Sequence, residues 1–310
     1  MKVLVAGATG AIGRPLVDRL VAEGHDVVGT TRDEARARAL RERGAAAVVL
    51  DAFDADAVHA AVRAAEPEVV VHQLTALPST PNPRAMAAAV ATTARLRRET
   101  VPTFMAAARA AGARRAVVQS ISFVTRPDGR PVHDEDALLL DDDDPVHGDN
   151  VRAVRALEAA TTATDGIEGV VLRYGFYYGP GTWYDRDGAV GAMVRKRRYP
   201  TIGSGEGRSS FVHVDDAVDA TVRALDRGAP GIYNITSDEP AAQREWLPEA
   251  ARRLGAKPPR HVPVWLARRL AGPVVVHYAT TLPGNANGTA RAALGWRPRP
   301  WREGFAEVFG

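Results

Sequence analysis

The chain contains no cysteine, which excludes a disulfide framework and a thiolate metal site. Lysine is scarce, standing only at 2, 196 and 257, so arginine carries nearly all of the basic charge. Long apolar runs are missing too: the longest, "GPVVVHYA", falls far short of the roughly 20 residues needed to cross a bilayer. The opening "MKVLVAG" runs directly into a strand and a glycine turn rather than into a secretory leader. A cytoplasmic protein with no membrane partner is therefore expected. The net charge is only +3 and is spread along the chain, so nucleic acid is not an expected partner. The densest basic run, Arg195 to Arg198, reads as a solvated helix end. No closely spaced His/carboxylate set is present, so no metal is expected.

What is present is a regular alternation. Short apolar runs ("KVLVAGA", "HDVVGTT", "AAAVVLD", "EVVVHQL", "RRAVVQSIS") are separated by amphipathic stretches, with a long helical segment over 83–111. Nearly continuous apolar strands between helices mean βαβ units and a parallel sheet covered on both faces. The expected fold is α/β: a Rossmann-type doubly wound sheet with a smaller C-terminal substrate-binding domain. Residues 1–174, with 211–236 returning to them, form the nucleotide-binding part, and 175–210 and 237–310 the substrate-binding part. Between them "TRPDGRPVHDEDALLLDDDDPVHGD" reads as a long loop, whose acidic stretch is equally a mobile lid or a solvated charge run.

Gly7, Gly10 and Gly13 form GxxGxxG between the first strand and the first helix. Glycine is needed there for a tight turn and for close approach of a pyrophosphate, which the helix N-terminus then holds with free N–H groups. Thr9, Ala11 and Ile12 complete that turn. NAD sites place an acid at the end of the second strand, whereas a 2′-phosphate calls for arginine. This chain has Thr31 and Arg32 there, with Asp33 and Glu34 read as the start of the next helix. NADP (NADPH) is the expected cofactor. Asp51 and Ala52 after the third strand, and Gln73 and Leu74 after the fourth, complete the expected cofactor contacts.

Together "GATGAIG", "VVVHQLTA", "LRYGFYYGPG", "SFVHVDDAVDA" and "LGWRPRPWREGF" resemble, in order along nearly the whole chain, the extended short-chain dehydrogenase/reductases of the NAD-dependent epimerase/dehydratase group. The resemblance implies a small-molecule substrate, an NAD(P)-dependent enzyme, and a homodimer through long helices for which 83–111 would serve. It also implies a tyrosine four residues before a lysine, which together move a proton. The chain has no such pair: Asn150 stands where the tyrosine belongs and Val154 where the lysine belongs, and no tyrosine is followed by lysine four positions on.

Three readings remain open. The first is an oxidoreductase acting on a carbonyl or hydroxyl group with a non-standard proton donor. The others are a non-redox isomerase, lyase or cyclase, and a non-catalytic dinucleotide sensor. For the first, Ser120 and Ser122 are the expected ligands of the substrate oxygen. Tyr174, Tyr177 and the loop histidines His147 and His133 are the candidate donors, and Tyr178, Arg208 and His213 are expected to line the substrate side.

Overall fold

A computed structural model describes residues 1–78 and 83–310. Seven parallel strands build the central sheet: β1 (Lys2–Ala6), β2 (Asp26–Thr31), β3 (Ala46–Val49), β4 (Val69–His72), β5 (Arg115–Ile121), β6 (Glu168–Tyr174) and β7 (Gly231–Ile235). Their order is 3-2-1-4-5-6-7, so the chain reverses direction across the sheet between β1 and β4. A crevice opens there beyond the strand ends, where ligands of doubly wound folds bind.

Helices cover both faces, as apolar strands such as "VVVH" require. One face packs on α1 (Gly13–Ala22) and α7 (Val214–Arg223). The other packs on α3 (Ala55–Ala65) and α5 (Val101–Ala110), while α2 (Glu34–Glu42) lies by the edge strands and α6 (Gly148–Thr162) beside β5 and β6. α4 (Pro83–Arg95) does not continue smoothly into α5: residues Leu96–Thr100 form one widened π-helical turn. His72 closes β4 beneath that turn. The Thr100 hydroxyl donates to the Leu96 carbonyl at 2.7 Å and stands 2.9 Å from His72 Nε2. Its oxygen therefore accepts from Nε2–H.

Beyond β6 the chain builds a smaller region from short paired strands and helices, including α8 (Pro273–Thr280) and α9 (Trp301–Phe309). Its core is aromatic: Tyr178, Phe211, Trp246, Trp301, Phe305 and Phe309 meet largely edge to face. No helix among the described residues is long and apolar enough to cross a membrane.

The acidic loop is anchored through a few residues, while Asp134, Asp136 and Asp141 to Asp143 stand exposed as in a solvated charge run. Leu139 and Leu140 are buried against Val151 and Val154 of α6. The Glu135 carboxylate accepts from the Asn234 N–H at 2.8 Å and the Thr289 hydroxyl at 2.9 Å. Beneath the loop, Glu158 of α6 forms a two-point pair with Arg173 of β6, both bonds 2.7 Å and both side chains over nine-tenths buried.

Burial pushes the His72 imidazole down to about 4. Because the folded value lies below the unfolded one, its contribution is intact above pH 6.5 and is lost as pH falls toward 4. A depression of this size corresponds to a loss on the order of 3 kcal/mol. Melting wild type and His72→Asn at pH 7.5 and 4.5 tests this. The wild type should lose markedly more stability on acidification, and equal losses would assign the pH dependence elsewhere.

Candidate active site

The crevice begins with backbone. Gly7 has φ +89°, and a Cβ there would stand 2.8 Å from the Gln73 carbonyl oxygen. A Cβ on Gly13 would strike the Gly7 carbonyl oxygen and Ala8, while one on Gly10 would meet only the Gly7 oxygen, at 3.3 Å. β1, β4 and α1 thus close on one another with room only for glycine, and the outer side of Gly10 stays open. Thr9, Gly10 and Ala11 form the lip of the turn. Ile12 begins α1 without a side-chain cap, leaving N-terminal N–H groups for an anion.

Farther out, the buried Thr31 hydroxyl at the end of β2 and the buried Gln73 Oε1 beyond β4 have no hydrogen-bond partner among the described residues. Such groups are rarely left orphaned. Asp33 caps α2 by accepting from the Arg36 N–H and also pairs with the Arg36 side chain, as expected of a helix start. Arg32 is exposed and makes no ion pair with a described residue. Asp51 is exposed and accepts from the Phe53 N–H, Ala52 is buried, and Leu74 is half-buried. The glycine cradle and the orphaned oxygens fit a dinucleotide lying across β1, β2 and β4.

The expected catalytic groups divide. Ser120 is fully buried and donates to Glu158 Oε1 at 3.0 Å, so it belongs to the ion pair beneath the site and not to the cleft. The two-residue strand period puts Ser122 on the same face, and its buried hydroxyl has no partner. Tyr174 is a core residue: its hydroxyl lies 2.7 Å from Thr221 Oγ1 and accepts from Gln73 Nε2 at 3.3 Å, and burial pushes the phenol up to about 12. It positions Gln73 and has no open path to a substrate. The Tyr177 ring lies 5.3 Å from that of Tyr174, and its hydroxyl has no partner; burial holds this phenol well above its ordinary value.

His147, just before α6, sets Nδ1 3.2 Å from Asp144 and packs tilted against His277 of α8, ring centroids 4.9 Å apart, with Nε2 unpartnered. The other loop histidine, His133, is buried with Nε2 3.3 Å from Asp128. On the substrate side, Tyr178 is fully buried in the aromatic core and does not face the cleft. His213 caps α7 by accepting from the Asp215 N–H at 3.1 Å and fills the space beneath Gly179. Both serve packing. Arg208 is half-buried and reaches the Pro240 carbonyl at 3.4 Å.

Arg97 and Tyr278, beside the positions of the expected pair, escaped sequence reasoning as site groups. Asn150 and Val154 do share one face of α6, and Val154 is wholly buried. The Asn150 amide oxygen accepts from Arg97 Nη1 at 2.6 Å. Arg97 comes from the π-helical turn and is 5% exposed. It makes no ion pair with a described residue, and burial brings its guanidinium down to about 10. Its charge acts on Tyr278 of α8, whose phenol burial pushes up to about 12. Tyr278 in turn lines a cavity of about 70 Å³ with Phe176, Tyr184, Tyr199 and Trp246. Phe123 stacks on Phe176 at 4.5 Å beside it.

This geometry belongs to a known class. The model of the NAD dependent epimerase/dehydratase family matches residues 3–236, and the chain belongs to that family of enzymes. A 3-diazoavenalumate denitrifying reductase from a Streptomyces species is 51% identical, over 98% of this chain and 99% of its own. Among solved structures, UDP-glucose 4-epimerase of Thermotoga maritima superposes with a TM-score of 0.77 at 20% identity, covering 100% of this chain and 97% of that one. A human epimerase family protein holding NADPH gives 0.74 at 21%, covering 100% and 99%.

Gly13→Ala should abolish nucleotide binding, because the added methyl must push α1 off the Gly7 carbonyl, and should destabilise the fold by about 1–3 kcal/mol. Nucleotide fluorescence titration and urea melting check both; tight binding by the variant would refute the cradle.

Proposed function

We propose that this chain is an NADPH-dependent reductase that replaces the diazo group of an aromatic substrate by hydrogen, with release of N2. The observation that carries this reading is the Arg97–Asn150 contact at the place of the family's proton donor. Neither an amide nor a guanidinium donates a proton readily at neutral pH. Reduction of a carbonyl needs hydride and proton together. When bound, a reduced nicotinamide supplies hydride, and the exchange R–N2⁺ + H⁻ → R–H + N2 balances with no proton at all.

The chain's own residues suit that task. Phe123, Phe176 and Tyr278 offer aromatic faces and edges to a flat ring. The glycine turn and the α1 N-terminus would hold the pyrophosphate, and Gln73, fixed by Tyr174, would position its neighbour on the cofactor side. Thr31 and the unpaired Arg32 favour a 2′-phosphate over a bare ribose, since no acid stands at the end of β2. The relative named as a denitrifying reductase supports the reaction class.

The free hydroxyls of Ser122 and Tyr177 favour a second reading, carbonyl reduction with Ser122 holding the oxygen and Tyr177 giving the proton. A phenol held above its ordinary value stays protonated at neutral pH and can donate.

Anaerobic incubation with NADPH and an aryl diazo substrate distinguishes the two. One NADPH should be consumed per N2 released, and Tyr177→Phe should keep the rate within a few-fold. Loss of the donor in a carbonyl reductase would cost about 10²–10⁴. A collapse of that size in Tyr177→Phe would move the assignment to the second reading. Arg32→Ala should weaken NADPH and leave NADH binding nearly unchanged, as parallel titrations would register.

A further inference from the structure

The buried cluster around α6 is out of charge balance. Arg97 and Arg173 are two cations, and among the described residues Glu158 is the one carboxylate buried with them. Glu158 gives both oxygens to Arg173 and takes a further bond from Ser120. The remaining cation, Arg97, has only the neutral amide of Asn150 as a hydrogen-bonded partner among the described residues. Glu158 also acts on Arg97 through space, but both its oxygens are bonded to Arg173. A buried guanidinium, with five N–H donors in a fixed fork, costs several kcal/mol when no carboxylate pairs with it directly. Such a group persists in a fold when a ligand supplies the anion.

Its neighbours say where that anion would lie. Asn150, half-buried on α6, holds Arg97 from one side, and Tyr278, on which the Arg97 charge acts, lines the aromatic cavity. The neighbouring arginines are engaged elsewhere at the surface: Arg95 pairs with Glu99, and Arg98 with Asp149. The π-helical turn is what sends Arg97 inward between them, and such turns gather at functional sites.

We infer that Arg97, steadied by Asn150, is an anion-binding subsite that holds a negatively charged oxygen of the aromatic substrate next to the reacting group. Resting on the proposed denitrification, this narrows the substrate class. A bare aryl diazonium cation would be repelled by the unpaired guanidinium at low dielectric. The substrate must carry an anionic oxygen, a carboxylate or a phenolate, that offsets the Arg97 charge.

The test is equilibrium binding to the NADP⁺-loaded protein, with 4-nitrophenolate and cinnamate as anionic probes and 4-nitroanisole as the neutral control. Wild type should bind at least one anion, and the one bound identifies the source of the charged oxygen. Arg97→Met should weaken that anion about tenfold or more, with Arg97→Lys between, and leave the neutral probe within about twofold. Asn150→Asp guards against a folding artefact, since it supplies a carboxylate to Arg97 from within. That variant should melt at or above the wild type and yet lose the anion. Failure of wild type to bind either anion, or wild-type affinity for them in both Arg97→Met and Asn150→Asp, would overturn the subsite. Arg97-dependent anion binding without N2 release from any diazo compound would leave the subsite standing and sink the denitrification reading. N2 release with unchanged KM in Arg97→Met would do the reverse.

Discussion

The site depends on one buried carboxylate. Glu158 joins α6 to β6 through Arg173 and to β5 through Ser120, so three neighbouring elements share a single anion. Arg173 also reaches the Glu135 carbonyl, and the Glu135 side chain fastens the loop to β7 and to Thr289. A buried pair of this kind contributes little net stability, because desolvation of both ions offsets their attraction. What it fixes is register. α6 can slide or rotate only by breaking charged bonds in a dry interior, so Asn150 stays against Arg97 and Val154 against Leu139 and Leu140.

The family's scaffold is retained here around altered chemistry. Glycine spacing, strand order and the cofactor edge follow from close backbone approaches that admit few alternatives. The proton-transfer position has no such constraint, since it needs only a side chain on the right face of α6. On that face this chain carries Asn150, whose amide oxygen accepts from Arg97. An amide held by a guanidinium can orient charge but does not readily donate a proton at neutral pH.

Much of this was legible in the residues. Alternating apolar runs specify a parallel sheet because only strands covered on both faces tolerate them, and GxxGxxG specifies the turn because Gly7 and Gly13 abut backbone. Asp33 was legible as a helix cap for the same local reason. The catalytic side was harder. Ser120 and Ser122 read alike in "VVQSIS", and what separates them is a partner 38 residues away on α6. Tyr174, Tyr177 and Tyr178 are similar letters in "RYGFYYGPG", yet their hydroxyls respectively bond Thr221, stand free in a partly buried place, and lie in an aromatic core. Arg97 was hidden among arginines in "ARLRRET", where nothing local distinguishes a buried cation from a solvated one. Its direction is set by a widened turn that no residue type announces, locked from below by His72 and Thr100.

That widened turn has a consequence for how such a cleft could change over time. A π-turn holds one residue more than an α-turn over nearly the same rotation, so removing one residue from Leu96–Thr100 would restore the ordinary ladder, leave the flanking helices in phase and re-aim the side chains within the turn. On the proposed role of Arg97, the electrical character of the cleft is therefore encoded in helix length as well as in residue identity. A one-codon deletion could discharge it without altering any amino acid that lines it, a route between chemistries that comparing aligned positions alone would overlook.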